Sequence, residues 1–102
     1  MITKCTALQL APKGIRVNSV NPGPVLSNIL RDDGMKNLEQ NAEFFAKYVP
    51  LKFMAQGTDI APSVAFLANN EKARNISGTI FINDSGVMLD PGCMGNVFRN
   101  LH

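Results

Sequence analysis

IRVNSVNPGPVLS, residues Ile15 to Ser27, is the stretch whose reading decides the fold. Its first six residues alternate apolar and polar side chains with β-branched Ile15, Val17 and Val20, which predicts a strand over Ile15–Val20. Asn21-Pro22-Gly23-Pro24 closes that strand as a tight turn, because proline withholds the N–H that a central ladder needs. In open α/β sheets ligands collect beyond the carboxyl ends of strands, and a glycine there lets the backbone approach a flat ring closely. The Pro-Gly turn, followed by Val25 and the hydroxyl of Ser27, is therefore the place to look for chemistry. The plainer reading is a loop that only joins a strand to a helix.

Upstream, Ile2, Cys5 and Leu8 recur every three residues among Thr3, Lys4, Thr6 and Gln9, the stripe of an amphipathic helix over Met1–Ala11 that Pro12-Lys13-Gly14 ends. No capping residue precedes it, which predicts the tail of a longer helix. Downstream, Met35, Leu38, Ala42, Phe45 and Val49 fall at helical spacing between Gly34 and Pro50, predicting a second helix over Met35–Val49. Thr58 stands as the expected N-cap of a third, with Asp59 in its first turn near the positive end of the helix dipole. Ile60, Val64, Leu67 and Ala68 form its apolar face, Pro62 is tolerable in the first turn, and Asn69-Asn70 ends it. Thr79–Ile82 is a short, nearly continuous apolar run between Gly78 and Asn83-Asp84-Ser85-Gly86, the pattern of a strand covered on both faces. Helix, strand, helix, helix, strand spells an α/β layered fold. Residues Val87 to His102 show no period.

Composition narrows the function. The 102 residues carry 10 Lys+Arg and 8 Asp+Glu, a formal charge of +2 whose nearest approach to a cluster is Lys13 with Arg16. No basic face for nucleic acid is visible, and no apolar run reaches the roughly 18 residues of a membrane span. Cys5 and Cys93 lie far apart and the single histidine is His102, so the usual zinc ligand spacings are missing. The short apolar stretch after Lys4 lacks the length and cleavage site of a secretory signal, so a reduced, cytoplasmic protein is expected. At this length one compact domain is the limit.

Acid and base candidates are few. Asp32 and Asp33 are adjacent and beside Gly34, a solvated turn. Glu39 and Glu43 stand four apart on one helical face, where like charges mildly repel and water is their natural partner. Tyr48-Val49-Pro50-Leu51-Lys52 matches Y-x-x-x-K, in which a lysine one helical turn away lowers a tyrosine pKa. Pro50 disfavours helical angles at Val49 and withholds an N–H, so Tyr48 and Lys52 are expected to diverge. No residue of this chain is assigned a catalytic role.

Three blocks, LQLAPKGIRVNSVNPGPV, PLKFMAQGTDIAPSVAFLAN and ISGTIFINDSG, resemble in order and spacing the consecutive C-terminal blocks of the short-chain dehydrogenase/reductases. These are Rossmann-fold enzymes that move hydride between NAD or NADP and a carbonyl or alcohol. The resemblance covers residues 1–86 and implies the C-terminal part of a doubly wound parallel sheet, an incomplete domain, with 87–102 as a tail. It makes Ile15–Val20 the sixth strand and Thr79–Ile82 the seventh. Pro22 and Gly23 would begin the loop beside the nicotinamide, the Val25 backbone would meet the carboxamide, and Ser27, where the family usually has threonine, would keep the hydroxyl bonded to the same group. Asn28–Phe53 would cover the substrate, with Phe44 and Phe45 as lid contacts.

The departures are equally informative. The family's glycine-rich pyrophosphate loop and its catalytic Ser, Tyr and Lys all belong upstream of the blocks found here, and Asn18 and Asn21 are not its catalytic asparagine. Asn83-Asp84-Ser85-Gly86 replaces the more usual Val-Asp-Gly-Gly. The resemblance thus implies a partial oxidoreductase that is inactive by itself, a small-molecule carbonyl or alcohol as substrate of the intact enzyme, and dimers or tetramers by analogy. The competing reading is a small non-catalytic interaction module built on the same half-fold.

Overall fold

Ile2–Leu10 form helix α1, and a single 3-10 turn, Ala11–Lys13, ends it at Gly14 in the computed structural model. Strand β1 follows at Ser19–Pro22, helix α2 at Leu38–Ala46, helix α3 at Gly57–Ala68 and strand β2 at Ile80–Asn83. A last 3-10 turn spans Val87–Leu89. The structure describes residues 1–26, 38–90, 92, 95–96 and 99–100. Among them the sheet has two strands, parallel, in the register Ser19↔Ile80 to Pro22↔Asn83. The α/β architecture expected from the sequence is the one observed, and α3 is the crossover that a parallel pair requires.

Both strands sit later than their apolar patterns predict. β1 was expected over Ile15–Val20 but begins at Ser19 and takes in Asn21 and Pro22; β2 is shifted by one residue to end at Asn83. The cause is Asn18. Its amide donates to the Ile76 carbonyl (2.9 Å) and accepts from the Thr79 N–H (3.0 Å), so a side chain stands where a backbone ladder would run. Val17 completes the substitution, donating its N–H to Ser77 Oγ and accepting from Gly78. Pro22 survives inside β1 because the alternate residues Ser19 and Gly23 donate toward β2, leaving Pro22 to face the other edge.

α3 is capped two residues earlier than Thr58. Gln56 is the N-cap, its backbone N–H donating to Asp59 Oδ2 at 2.8 Å while its side chain accepts from the N3 backbone. Asp59 therefore serves a reciprocal capping box as well as the helix dipole. At the other end Arg16 donates to the Leu67 carbonyl (2.8 Å), the Ile76 carbonyl (3.3 Å) and Asn70 Oδ1 (2.8 Å), satisfying a carbonyl that the helix leaves unpaired. Asn83 ties β2 to the middle of α3 through Ser63 Oγ (2.8 Å) and the Asp59 carbonyl (3.3 Å).

Of the predicted second helix, residues 35–37 lie outside the described residues, and α2 stops at Ala46 rather than Val49. Tyr48–Lys52 form turns, Lys52 has φ 63, and its Nζ donates to the Lys47 carbonyl at 2.8 Å. The helical pairing of Tyr48 with Lys52 does not form. Val49 turns inward and is 2% exposed, and with Ala7, Ala55, Leu67 and Ala73 it makes the buried apolar set among the described residues. Of the expected stripe on α1, Ile2 and Leu8 face solvent at 83% and 79% exposure and Cys5 is exposed too; the buried residue is Ala7. Among the described residues no helix is long and apolar enough to cross a membrane.

Candidate functional site

The carboxyl ends of the two strands are welded into one platform. Gly23 extends the ladder by donating to the Asn83 carbonyl at 3.2 Å. A Cβ on Gly23 would lie 2.8 Å from Asp84 Cα and Cβ and 3.0 Å from its carbonyl oxygen, so the space that glycine leaves is filled first by Asp84. The Asp84 carboxylate in turn accepts the Gly86 N–H on Oδ1 (3.0 Å) and the Met88 N–H on Oδ2 (2.9 Å), and its carbonyl accepts from Val87 (3.1 Å). Asp84 thereby folds the chain after β2 back beside the Pro-Gly turn.

Ser85 takes the position where the family's Val-Asp-Gly-Gly carries its first glycine, at φ 57. The turn forms despite the substitution, held by Asp84 on one side and by the Leu51 N–H, which donates to the Ser85 carbonyl at 3.2 Å.

Beyond Pro24 the chain makes an isolated parallel bridge, Val25 to Ala55, with the Leu26 N–H donating to the Ala55 carbonyl at 2.8 Å. In such a bridge the flanking residues bond the neighbour, so the N–H and C=O of Val25 itself point the other way. No hydrogen bond among the described residues engages that N–H. One donor and one acceptor thus stand together on the loop, the pair that a primary carboxamide needs.

A cleft of about 450 Å³ lies at this end of the sheet, lined by Asn21, Pro22, Gly23, Ile82, Asp84, Val87 and Met88. Pro22 and Gly23 are thus brought to it, Val25 stands two residues on, and Ser27 lies outside the described residues. Phe44 and Phe45 do not line it. On α2, Phe44 packs edge-on against Phe45 (centroids 5.7 Å) and against Tyr48 in the turn that follows (5.5 Å). Asp84, Val87 and Met88 were not singled out from the sequence; the Asp-x-Gly turn was a readable signal for the first, while the aperiodic tail hid the others. A second cleft, about 500 Å³, opens at the amino end of β1 beside Arg16 and Asn70, but the Arg16 guanidinium there is committed to α3. Among the described residues no group of three or more His, Cys, Asp or Glu could hold a metal ion.

Residues 1–88 match the family profile described as Enoyl-(Acyl carrier protein) reductase. The chain is 39% identical over 88 residues to Glucose and ribitol dehydrogenase homolog 2 of Arabidopsis thaliana, covering 86% of this chain and 29% of that protein. It is 46% identical over 88 residues to the 3-oxoacyl-(acyl-carrier-protein) reductase FabG of Staphylococcus epidermidis, covering 80% of this chain and 32% of the relative. A crystal structure of a short-chain dehydrogenase/reductase of unknown function from Caenorhabditis elegans, solved with cofactor, superposes with TM-score 0.77 at 32% identity over 86% of this chain and 34% of that one. The fold and the matches define one family of α/β proteins. The chain belongs to the short-chain dehydrogenase/reductase family. It spans about a third of the length of these relatives.

Proposed function

We propose that these residues form the nicotinamide side of an NAD- or NADP-dependent oxidoreductase that moves hydride between the cofactor and a small carbonyl or alcohol. The observation that carries this is the outward-facing N–H and C=O of Val25, set beside the Pro22-Gly23 turn at the carboxyl ends of parallel strands. When bound, the nicotinamide supplies or accepts the hydride. This chain's own part is to hold its carboxamide: Val25 by main chain, Ser27 by hydroxyl, with Pro22 and Gly23 forming the floor. Phe44 and Phe45 would belong to the segment covering the substrate. Residues 1–86 act as part of the Rossmann domain and 87–102 as its tail, in a cytoplasmic enzyme that assembles as a homo-oligomer.

The test is a hybrid in which the full chain replaces the matched segment of the Staphylococcus epidermidis reductase. The hybrid should reduce a carbonyl substrate with a nicotinamide cofactor. Ser27→Ala in it should raise the cofactor KM by about 2- to 12-fold, the equivalent of one neutral hydrogen bond of about 0.5–1.5 kcal/mol, and Ser27→Thr should restore it. A folded hybrid with no turnover, or one in which both variants leave the cofactor KM unmoved, counts against the assignment.

The same hybrid reports on the turn after β2. Left-handed backbone costs a residue with a Cβ about 1–2 kcal/mol, against about 0.5–1 kcal/mol of extra chain entropy for glycine. Ser85→Gly should therefore raise Tm by about 1–3 °C, read in a thermal melt. A lowered Tm would mean that the Ser85 side chain supports the turn.

A further inference from the structure

We propose that Met88 is the adjustable wall of the Pro22-Gly23 cleft and that it selects an uncharged, apolar substituent on the substrate; this rests on the oxidoreductase reading above. Met88 lines the 450 Å³ cleft beside Asn21, Pro22 and Gly23, and also a neighbouring one of about 380 Å³ beside Leu51, Ser85 and Leu89, so with Ile82 and Asp84 it borders both. Its backbone is pinned. The Met88 N–H donates to Asp84 Oδ2 at 2.9 Å, and the turn is closed on either side by Leu89 N–H to the Gly86 carbonyl (3.0 Å) and Asp90 N–H to the Val87 carbonyl (3.1 Å).

By contrast 69% of the residue's surface is exposed. A fixed Cα carrying three rotatable bonds and a polarizable thioether is suited to shaping itself around an apolar group.

Charge sets the selectivity. Pro22, Ile82, Val87 and Met88 supply apolar surface, and Asn21 a neutral amide. The charged lining group is Asp84, with no Lys or Arg among the described lining residues. An anionic substituent would meet a carboxylate with no cation to offset it, whereas an aliphatic one buries against Met88 and Ile82. A substrate whose non-reacting end is neutral and aliphatic is the class this cleft fits.

In the hybrid enzyme, kcat/KM is measured for a neutral aliphatic ketone or aldehyde and for a keto acid of the same chain length. The neutral compound should be favoured. Met88→Ala should lower its kcat/KM about tenfold, mainly through KM, the range that one or two lost methylene contacts produce. Met88→Lys should raise kcat/KM for the keto acid and reverse the preference. Leu89→Ala, on the far side of the wall, should leave the ratio unchanged. Equal neutral-to-anionic ratios in the parent, Met88→Ala and Met88→Lys would overturn the role of Met88 while leaving hydride transfer intact. Loss of all turnover in a hybrid that still melts cooperatively would overturn the functional reading and the wall with it.

Discussion

Expressed by themselves, these 102 residues are expected to associate and to show no cooperative thermal transition. The accessible surface is 7392 Å², whereas a folded monomer of 11.1 kDa exposes roughly 5,700 Å² by the scaling of surface with mass. The excess is on the scale of a protein interface. Dimensions agree with area: the radius of gyration is 16.7 Å with extents of 52 × 24 × 23 Å, against about 13 Å for a compact domain of 100 residues. Much of the surplus is apolar, since Ile80, Phe81 and Ile82 are all exposed, Ile82 at 50%, together with Val64 and Phe66 on α3 and Ile2 and Leu8 on α1.

A two-stranded sheet needs more cover than this to stand alone, and the edge of β1 that Pro22 faces carries unpaired backbone groups that invite other chains. The missing burial exceeds the few kcal/mol of margin that domains possess. Sedimentation, amide NMR and a melt would show it, and a monodisperse monomer with dispersed peaks would favour the interaction module instead. The same polypeptide should neither transfer hydride nor bind NAD or NADP below millimolar concentration. Two or three carboxamide bonds of about 0.5–1.5 kcal/mol fall short of the roughly 8 kcal/mol of micromolar affinity. Turnover above a Tyr48→Phe control would revive Tyr48 as a base.

What the sequence disclosed and what it hid divide along physical lines. Pro22-Gly23 was legible because proline and glycine act locally, through a missing N–H and a missing Cβ. The ends of β1 and β2 were not, because a ladder exists only where a partner does, and Asn18 replaces backbone with side chain for reasons that involve Ile76 and Thr79, some sixty residues away. Thr58 looked like the cap by residue type, yet Gln56 took the role because Asp59, three residues on, could reach back to it. The apolar stripe of α1 was legible as a stripe, but that Ala7 rather than Ile2 or Leu8 is its buried residue was not, since burial depends on what lies against it. Met88 was invisible: nothing periodic surrounds it, and its position follows from a hydrogen bond to Asp84 rather than from any pattern in 87–102.

Gly23→Ala in the hybrid is expected to cost about 2–4 kcal/mol. Three glycines separate the possible causes. Gly23 has no positive φ, so alanine meets no backbone penalty there, but its Cβ would fall 2.8 Å from two Asp84 carbon atoms, one of them main chain. Inserting atoms into packed structure costs about 1–3 kcal/mol when neighbours can yield. Here they yield poorly, because Pro22 and Pro24 stiffen one side and the bonds from Asp84 to Gly86 and Met88 stiffen the other. Gly86→Ala faces a different obstacle, φ 88 together with Pro50 Cβ at 3.1 Å, and should cost about 1–3 kcal/mol through backbone strain and a milder overlap than that at Gly23. Gly57→Ala, in the first turn of α3 with nothing within 4 Å, should instead stabilise by up to about 1 kcal/mol through helix propensity. Denaturant melts of the three variants should rank them Gly57, Gly86, Gly23 in falling stability. If Gly23→Ala stood level with Gly57→Ala, the close approach of the Pro-Gly turn to Asp84 would not be what joins the two strand ends, and the cleft built on that junction would lose its floor.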